Sequence, residues 1–255
     1  MKQMFILVAV FFMASVYADS KSDRLLRKAE ILTYTLAKVG VKSMAFKMKV
    51  VGLKENLNKR KNLGKLKELY FDVSWKYPKK LEVKVVGLPK GFKEMREQLK
   101  MAVYARLPLL FPINIVKMVR GYDLKFDKKN KLIVATDPSG KKGLHTMKIS
   151  IADNGQLKFV EGMGVSGNQE TSYISTIEPW SRKKFVAKEV NIVIRGKTYN
   201  TVVTHNLKYI SIQGVGVPEE LTSITKIVKL KDHEEKVLSK VKTLFYDYKL
   251  TGVKK

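Results

Sequence analysis

The chain has 255 residues, which is enough for one large β-rich domain or two small ones. Its 50 lysines and arginines against 23 acidic residues give a formal net charge of +27, which bears on solubility and partners more than on fold. The absence of cysteine excludes disulfides and a lipid-modified N-terminal cysteine, so an exported domain would be held together by its core alone.

The first 18 residues have the pattern of a secretory signal peptide. Lys2 precedes a short apolar run at residues 5–14, and residues 15–18 place small side chains where a signal peptidase cuts. The run is shorter than the ~20 residues that a membrane-spanning helix needs. We therefore expect cleavage after Ala18 and a soluble, single domain over residues 19–255. Because the chain has no Asn-x-Ser/Thr sequon, the expected compartment is a bacterial periplasm.

The first part of that domain is predicted to be a helix followed by a strand. Apolar residues at helical spacing predict a helix over residues 19–39, with Ser22 as its cap and Gly40 as its end. Alternation predicts a strand over residues 44–50. The polar, basic segment 52–64 is predicted to be a loop.

A β-hairpin is the clearest pattern in the chain. Two runs of alternating apolar residues meet at Pro78, and they consist of Leu69, Phe71, Val73, Trp75 and Tyr77, then Leu81, Val83 and Val85. A period of two indicates strands with one apolar and one solvated face, and proline belongs at the turn because it cannot donate to a strand pair. The apolar face must be covered by another part of the chain.

The following segment, residues 90–121, is predicted to be a helical insert. Its apolar period changes from two to 3.6, with breaks at Pro108 and Pro112. It is rich in methionine, whose flexible side chain adapts to irregular contacts. We expect this insert to act as a lid over the hairpin.

Strands and turns fill the rest of the chain. Turns are predicted at residues 137–140 and at Asn154-Gly155. Residues 197–208 and 209–214 are predicted as separate strands. About ten or eleven strands are expected in all, with one N-terminal helix and the helical insert.

No motif supports an enzyme. Gly162, Gly164 and Gly167 match a dinucleotide-binding pattern in letters only, since they lead into a strand and not a helix. No serine lies in a nucleophile elbow, and no zinc spacing joins the three histidines, His145, His205 and His233. We expect a non-enzymatic protein without cofactor or metal.

The order of elements resembles the outer-membrane lipoprotein-carrier (LolA/LolB-like) superfamily. The similar features are a helix ending at Gly40 before a strand, the segment YPKKLEV at residues 77–83, a Gly-x-x-x-Pro hairpin within residues 214–227, and a closing strand at residues 244–253. The resemblance covers most of the exported domain. It implies an α+β fold, in which a curved, unclosed antiparallel β half-barrel is covered by an N-terminal helix and a helical insert, with a cavity for acyl chains.

We therefore predict a lipid-binding cavity between the sheet and the lid. Its predicted lining is Phe46, Met48, Phe71, Trp75, Tyr77, Met101, Leu110 and Phe111. The alternative for each residue is ordinary core packing, since large apolar side chains are usually buried.

The expected function is a monomeric periplasmic carrier of lipids or acylated proteins in outer-membrane biogenesis. The positive charge is explained either as a solvated surface or as attraction to anionic membranes. Nucleic acid is not an expected partner, because no basic cluster is interleaved with aromatic residues. The alternative function is a basic adaptor or sensor that binds a protein partner or an anionic envelope polymer.

Overall fold

The structure is a computed structural model that describes residues 20–60, 64–78, 80–111, 114–165, 167–231 and 233–253. The predicted signal peptide lies outside the described residues. The helices are α1 Ser20–Leu32, α2 Leu53–Asn58, α3 Lys93–Tyr104, α4 Leu107–Leu110 and α5 Ile115–Met118, with short 3₁₀ helices at Ala37–Val39 and Pro179–Ser181. None of these described helices is long and apolar enough to cross a bilayer.

Twelve strands within the described ranges form one sheet. They are β1 Ser43–Val50, β2 Tyr70–Lys76, β3 Lys80–Val86, β4 Asp123–Asp127, β5 Leu132–Thr136, β6 Leu144–Ile151, β7 Leu157–Gly164, β8 Gly167–Ile177, β9 Phe185–Arg195, β10 Tyr199–Ile212, β11 Val215–Lys229 and β12 Glu235–Thr251.

The sheet is antiparallel and open, as predicted. Its strand order is β3-β2-β1-β12-β11-β10-β9-β8-β7-β6-β5-β4, so the last strand pairs with the first and the edges are β3 and β4. The number of strands is twelve and not ten or eleven. The predicted break before Tyr209 is wrong, because a register shift between Lys208 and Tyr209 keeps β10 paired with β11 on both sides of it.

The N-terminal helix is shorter than predicted. α1 ends at Leu32, and Thr33 then forms a parallel bridge with Phe185 while the Tyr34 N–H donates to the Phe185 carbonyl. Pairing with a distant strand therefore outweighs the local helical pattern. Ser22 is buried inside α1 and is not its cap, whereas Gly40, at φ 95°, does end the following 3₁₀ helix.

The segment predicted as a loop after β1 contains α2. Leu57 of this helix is buried against Leu66, Leu69 and Leu88. Burial of leucines from one face compensates for the short length of the helix, since short helices are stabilised mainly by packing. Residues 61–63 of the predicted loop lie outside the described residues.

Besides the cluster of Leu57, Leu66, Leu69 and Leu88, a large and a small core lie along the sheet. The large core is made of the buried residues Tyr34, Leu36, Val39, Val41, Met44, Phe46, Met48, Phe71, Val73, Val83, Val103, Leu107, Leu110, Val186, Val190, Leu207, Val215, Val217, Leu221 and Phe245. The small core lies under α1 and α5 and is made of Leu26, Ala29, Ile115, Val119, Ile133, Ala135, Met147, Ile149 and Ile151.

Candidate functional site beneath the helical insert

The floor of the candidate site is the apolar face of β1, β2 and β12. Met48 stands opposite Phe71 on one side and Phe245 on the other, and Phe46 stands opposite Val73. Residues opposed across antiparallel strands share a face of the sheet. Three of the predicted lining residues, Phe46, Met48 and Phe71, therefore lie together, and all three are buried in the large core.

The insert covers this floor through α3 and α4. Val103, Leu107 and the predicted residue Leu110 are buried in the same core as the floor. Met101 does not join them, since its side chain is 65% exposed. Val103 is two positions further along α3, and two positions on a helix face nearly opposite directions, so burial of Val103 leaves Met101 on the solvated side.

An aromatic pair joins floor and insert at the margin of the core. The rings of Trp75 and Phe111 are stacked with centroids 5.3 Å apart and 26° between their planes. Both side chains are half-buried. Tyr77 follows β2, contacts Trp75 edge-on at 6.3 Å and is 57% exposed, so it does not continue the apolar face of the hairpin.

Side chains of the floor and the insert are in one continuous cluster. Two prominent surface cavities lie elsewhere. One, of about 670 Å³, runs along α1 beside Arg24, Arg27 and Ile31. The other, of about 470 Å³, opens beside Lys47 and Asp247 and has Phe46 in its lining, the only one of the eight predicted residues to line either cavity. We expect an acyl chain beneath the insert to displace some of these packed side chains.

Three tyrosines strengthen the large core and were not predicted as part of the site. The Tyr34 hydroxyl donates to the Gly216 carbonyl (2.8 Å), Tyr209 to that of Ala187 (3.2 Å) and Tyr248 to that of Pro218 (2.5 Å). Burial raises the pKa of each hydroxyl above its usual value. These groups are therefore neutral donors at physiological pH and are not candidates for acid–base chemistry. The sequence carries little indication of this role, because isolated tyrosines in strands are common.

Of the three histidines, His205 has a defined partner. Its Nδ1 lies 2.8 Å from the Ser223 Oγ, between paired residues of β10 and β11. Burial, and then the positive charge of Arg106, lowers the pKa of His205. His145 and His233 are exposed. A serine–histidine pair needs an orienting acid to form a triad, and no carboxylate of the described residues is hydrogen-bonded to His205.

No metal site is formed by histidine and carboxylate groups within the described part of the chain. The Gly162–Gly167 segment is the β7–β8 hairpin, in which Gly164 pairs with Gly167, and not a strand–helix junction. Comparison with known proteins gives no family model, no curated protein and no solved structure that matches the chain. The resemblance to the lipoprotein carriers therefore stays a prediction.

Proposed function

We propose that this chain is a non-enzymatic, periplasmic carrier or binding protein for lipids or the acyl chains of lipoproteins. The acyl chain enters between the sheet, acting as a curved half-barrel, and the insert formed by α3 to α5. The observation that supports this most is the half-buried Trp75–Phe111 stack, which lies at the margin of the apolar contact between floor and insert.

Energetically, an acyl chain can replace the contacts of the insert. The insert places Val103, Leu107 and Leu110 in the core, and full burial of such side chains is worth roughly 1.5–3 kcal/mol each. A buried methylene contributes about 0.8 kcal/mol. A chain of roughly six to eleven methylenes therefore offsets the displacement of all three side chains.

Movement of the insert is also consistent with how it is attached. α3 and α4 cover the floor through side-chain packing, and neither is a strand of the sheet, whereas α5 packs in the small core through Ile115. Regions held by few buried apolar contacts open at lower free energy than paired core strands. We therefore expect α3 and α4 to open while α5 and the sheet stay in place.

The basic surface fits a carrier that visits membranes. Some lysines are already paired, as Lys47 is with Asp247 (2.9 Å) and Lys242 with Glu220 (2.7 Å). The net charge of +27 leaves a large excess. Each basic residue near an anionic membrane surface contributes up to ~1 kcal/mol of attraction, so we expect docking on anionic bilayers as a monomer.

The two tryptophans allow a direct test, because Trp75 is at the margin and Trp180 packs between Tyr34 and Tyr209. In a Trp180→Phe variant, a fatty acid brominated along its chain should quench Trp75 saturably. In the matched Trp75→Phe variant, the same ligand should quench Trp180 much less. Absence of saturable quenching in both variants, together with empty protein in native mass spectrometry of periplasmic material, would refute the carrier function.

The rival function is an adaptor for an anionic envelope polymer or an acidic protein partner, and the excess of lysines favours it. Salt separates the two, because exposed charges are screened beyond ~8 Å at physiological ionic strength. Binding through the surface should weaken steeply between low and high salt. Binding of an acyl chain beneath the insert should change little.

A further inference from the structure

The turns of three hairpins lie side by side at one end of the sheet. The pairing register joins one residue from each of β8 to β12 into a single row, which consists of Asn168, Arg195, Asn200, Val228 and Glu235. The β7–β8, β9–β10 and β11–β12 turns all lie beyond this row, on the same side of it. Neighbouring strands are about 4.8 Å apart, so the three turns span roughly 20 Å. We call residues 164–170, 194–199 and 226–240 the hairpin rim.

The hairpin rim is more exposed than the sheet behind it. Residues 235–240, at the start of β12, are all exposed, so neither face of this strand end is covered. On β9, Val190 is the last buried residue, and Arg195 of the row lies five residues further along. At about 3.4 Å per residue this separation is roughly 17 Å. The rim therefore extends past the end of the large core, to which Val190 belongs.

Large apolar side chains are exposed on the rim. Fifteen such side chains are exposed in the described part of the chain, and six of them belong to the rim, namely Val165, Ile194, Tyr199, Leu230, Val237 and Leu238. Val165, in the β7–β8 turn, is the most exposed of the fifteen at 84%. Single exposed apolar residues need no explanation, but a concentration of them indicates an interaction surface.

The rim also has an excess of positive charge. Its sequence contains seven basic and four acidic residues. The three acids of the rim that the structure describes are all in ion pairs, namely Glu170–Arg195 (2.8 Å), Glu235–Lys226 (2.9 Å) and Glu234–Lys229 (2.5 Å). Four exposed lysines form no ion pair with any described residue, and these are Lys197, Lys231, Lys236 and Lys240. Their charges are available to a partner.

This combination favours a lipid surface over a protein partner. Protein–protein interfaces are depleted in lysine, and their apolar residues form a central patch with a polar rim. Here the apolar side chains are spread over three turns with lysines between them. At a bilayer surface, lysine stems lie along apolar groups while the ammonium stays at the head groups, and tyrosine is enriched at the same depth. Anionic head groups also complement the positive charge.

We propose that the hairpin rim docks on an anionic lipid bilayer, with Val165, Leu230 and Leu238 among the head groups and the four lysines on the lipid phosphates. This assignment rests on the proposed visits of the carrier to membranes and names the surface that makes them. It involves neither the floor nor the insert, so docking and acyl binding can be measured separately.

Flotation of the whole protein with lipid vesicles tests the proposal. Vesicles of phosphatidylcholine mixed with phosphatidylglycerol should bind the wild type at least tenfold more tightly than vesicles of phosphatidylcholine alone. A triple variant, Val165→Ser with Leu230→Ser and Leu238→Ser, should bind the mixed vesicles at least tenfold less tightly than the wild type. All three side chains are exposed, so an unchanged urea midpoint should confirm that the variant is folded.

A matched triple variant changes exposed isoleucines far from the rim. Ile174 and Ile177 lie towards the other end of β8, and Ile31 lies beside Lys184, which donates to its carbonyl (2.8 Å). Ile31→Ser with Ile174→Ser and Ile177→Ser should leave binding to the mixed vesicles unchanged. Equal losses in the two triple variants, or no binding of the mixed vesicles by the wild type, would overturn the docking surface.

Charge is tested by replacing lysines of the rim. Each lysine near an anionic surface strengthens binding by up to about fivefold, so Lys197→Gln with Lys231→Gln and Lys236→Gln should weaken binding to the mixed vesicles and make it less sensitive to salt. The control replaces the exposed Lys76, Lys128 and Lys129 by glutamine. A loss of equal size in the control would show that only the net charge of the protein matters, which contradicts a specific rim.

The absence of cysteine allows a readout that does not depend on affinity. An environment-sensitive fluorophore on a single introduced cysteine, Val165→Cys, should emit at shorter wavelength when mixed vesicles are added, because the label enters the head-group region. The same label on Ile177→Cys should keep its emission. No shift at position 165, or equal shifts at both positions, would contradict insertion of the rim.

The remaining outcomes identify other partners and separate the two proposals. A loss in the lysine variant without a loss in the serine variant of the rim would assign the surface to a polyanion and not to a bilayer. A wild-type dimer that this serine variant makes monomeric would assign it to a second copy of the chain. Saturable binding of the brominated fatty acid without vesicle binding would refute the docking surface alone. Vesicle binding without fatty-acid binding would refute the carrier function alone.

Discussion

The two cores show two ways of covering one sheet. In the small core, α1 and α5 lie over β5 and β6, and the buried side chains are aliphatic or Met147. In the large core, the floor is aromatic, with Phe46, Phe71 and Phe245 buried, and the insert covers it through α3 and α4. Both cores have half-buried rings at their margins, Tyr122 and Phe126 at the small core and Trp75 and Phe111 at the large core, but only the large core has aromatic rings among its fully packed residues.

This difference indicates where the fold can bind a ligand with the smallest loss of stability. Close-packed aliphatic interiors lose stability with every void. Aromatic rings bury large areas and attract each other in both stacked and edge-to-face geometries. We therefore expect fold stability to depend mainly on the small core and on strand pairing, and the proposed ligand uptake to depend on the margin of the large core.

Truncation in each core should have the largest effects and should separate these roles. Ile149→Ala in the small core should lower the free energy of unfolding by about 2–5 kcal/mol, because it leaves a cavity at a fully buried site. Phe71→Ala in the large core should lower it by about 3–5 kcal/mol. Urea unfolding measures both changes.

Acyl-probe titration then distinguishes the two variants. Folded Ile149→Ala should bind the probe as the wild type does, because the small core does not contact the insert's floor. Folded Phe71→Ala should bind it with altered affinity. Equal changes in both variants would mean that the two cores do not have separate roles.

A smaller loss of stability is expected from a change at Gly216, whose carbonyl accepts a hydrogen bond from Tyr34 of the N-terminal segment. Trp180 packs on Gly216, so a methyl group added there would lie 2.0 Å from the Trp180 ring. Gly216→Ala should therefore destabilise the protein by roughly 1–3 kcal/mol through overpacking. Gly91→Ala is the matched control, since no atom lies within 4 Å of its added carbon.

A double variant checks the cause. Trp180→Ala combined with Gly216→Ala should be less destabilised than the sum of the single changes, because the ring that clashes has been removed. Additive free energies of unfolding would show that the loss at Gly216 has another origin.

The sequence predicted what depends on local alternation. The hairpin of β2 and β3 forms as expected, with Phe71, Val73 and Val83 buried on one face. Insert and floor, predicted to be neighbours, share the large core. Tyr77 was misplaced because its alternation continues by one residue past the end of β2 at Lys76.

Features that depend on distant contacts could not be predicted in this way. α1 ends early because Thr33 and Tyr34 meet Phe185, more than 150 residues away. His205 and Ser223 come together only through the register of β10 and β11. No spacing in the chain marks such a pair.

The smallest predicted effect is a pH dependence of stability that comes from Asp137, in a turn beside the small core. The Asp137 carboxylate, after β5, accepts hydrogen bonds from the Lys142 N–H (2.8 Å), the Ser139 hydroxyl (2.7 Å) and the Ser139 N–H (3.0 Å). These bonds, that from Lys142 first, lower the pKa of Asp137 from 3.8 to about 2. The stabilisation is therefore present above pH 3.8 and is lost as the pH falls towards 2.

Asp137→Asn should consequently be less stable than the wild type at pH 5, and the difference should shrink as the pH approaches 2. Urea midpoints across this range measure the change, with Asp153→Asn in the neighbouring exposed turn as the control. A difference that stays constant with pH would show that the turn is held by its backbone alone. Acyl-probe affinity at pH 7 should be the same in both variants, because the Asp137 turn lies at β5 and β6 and far along the sheet order from β1 and β2.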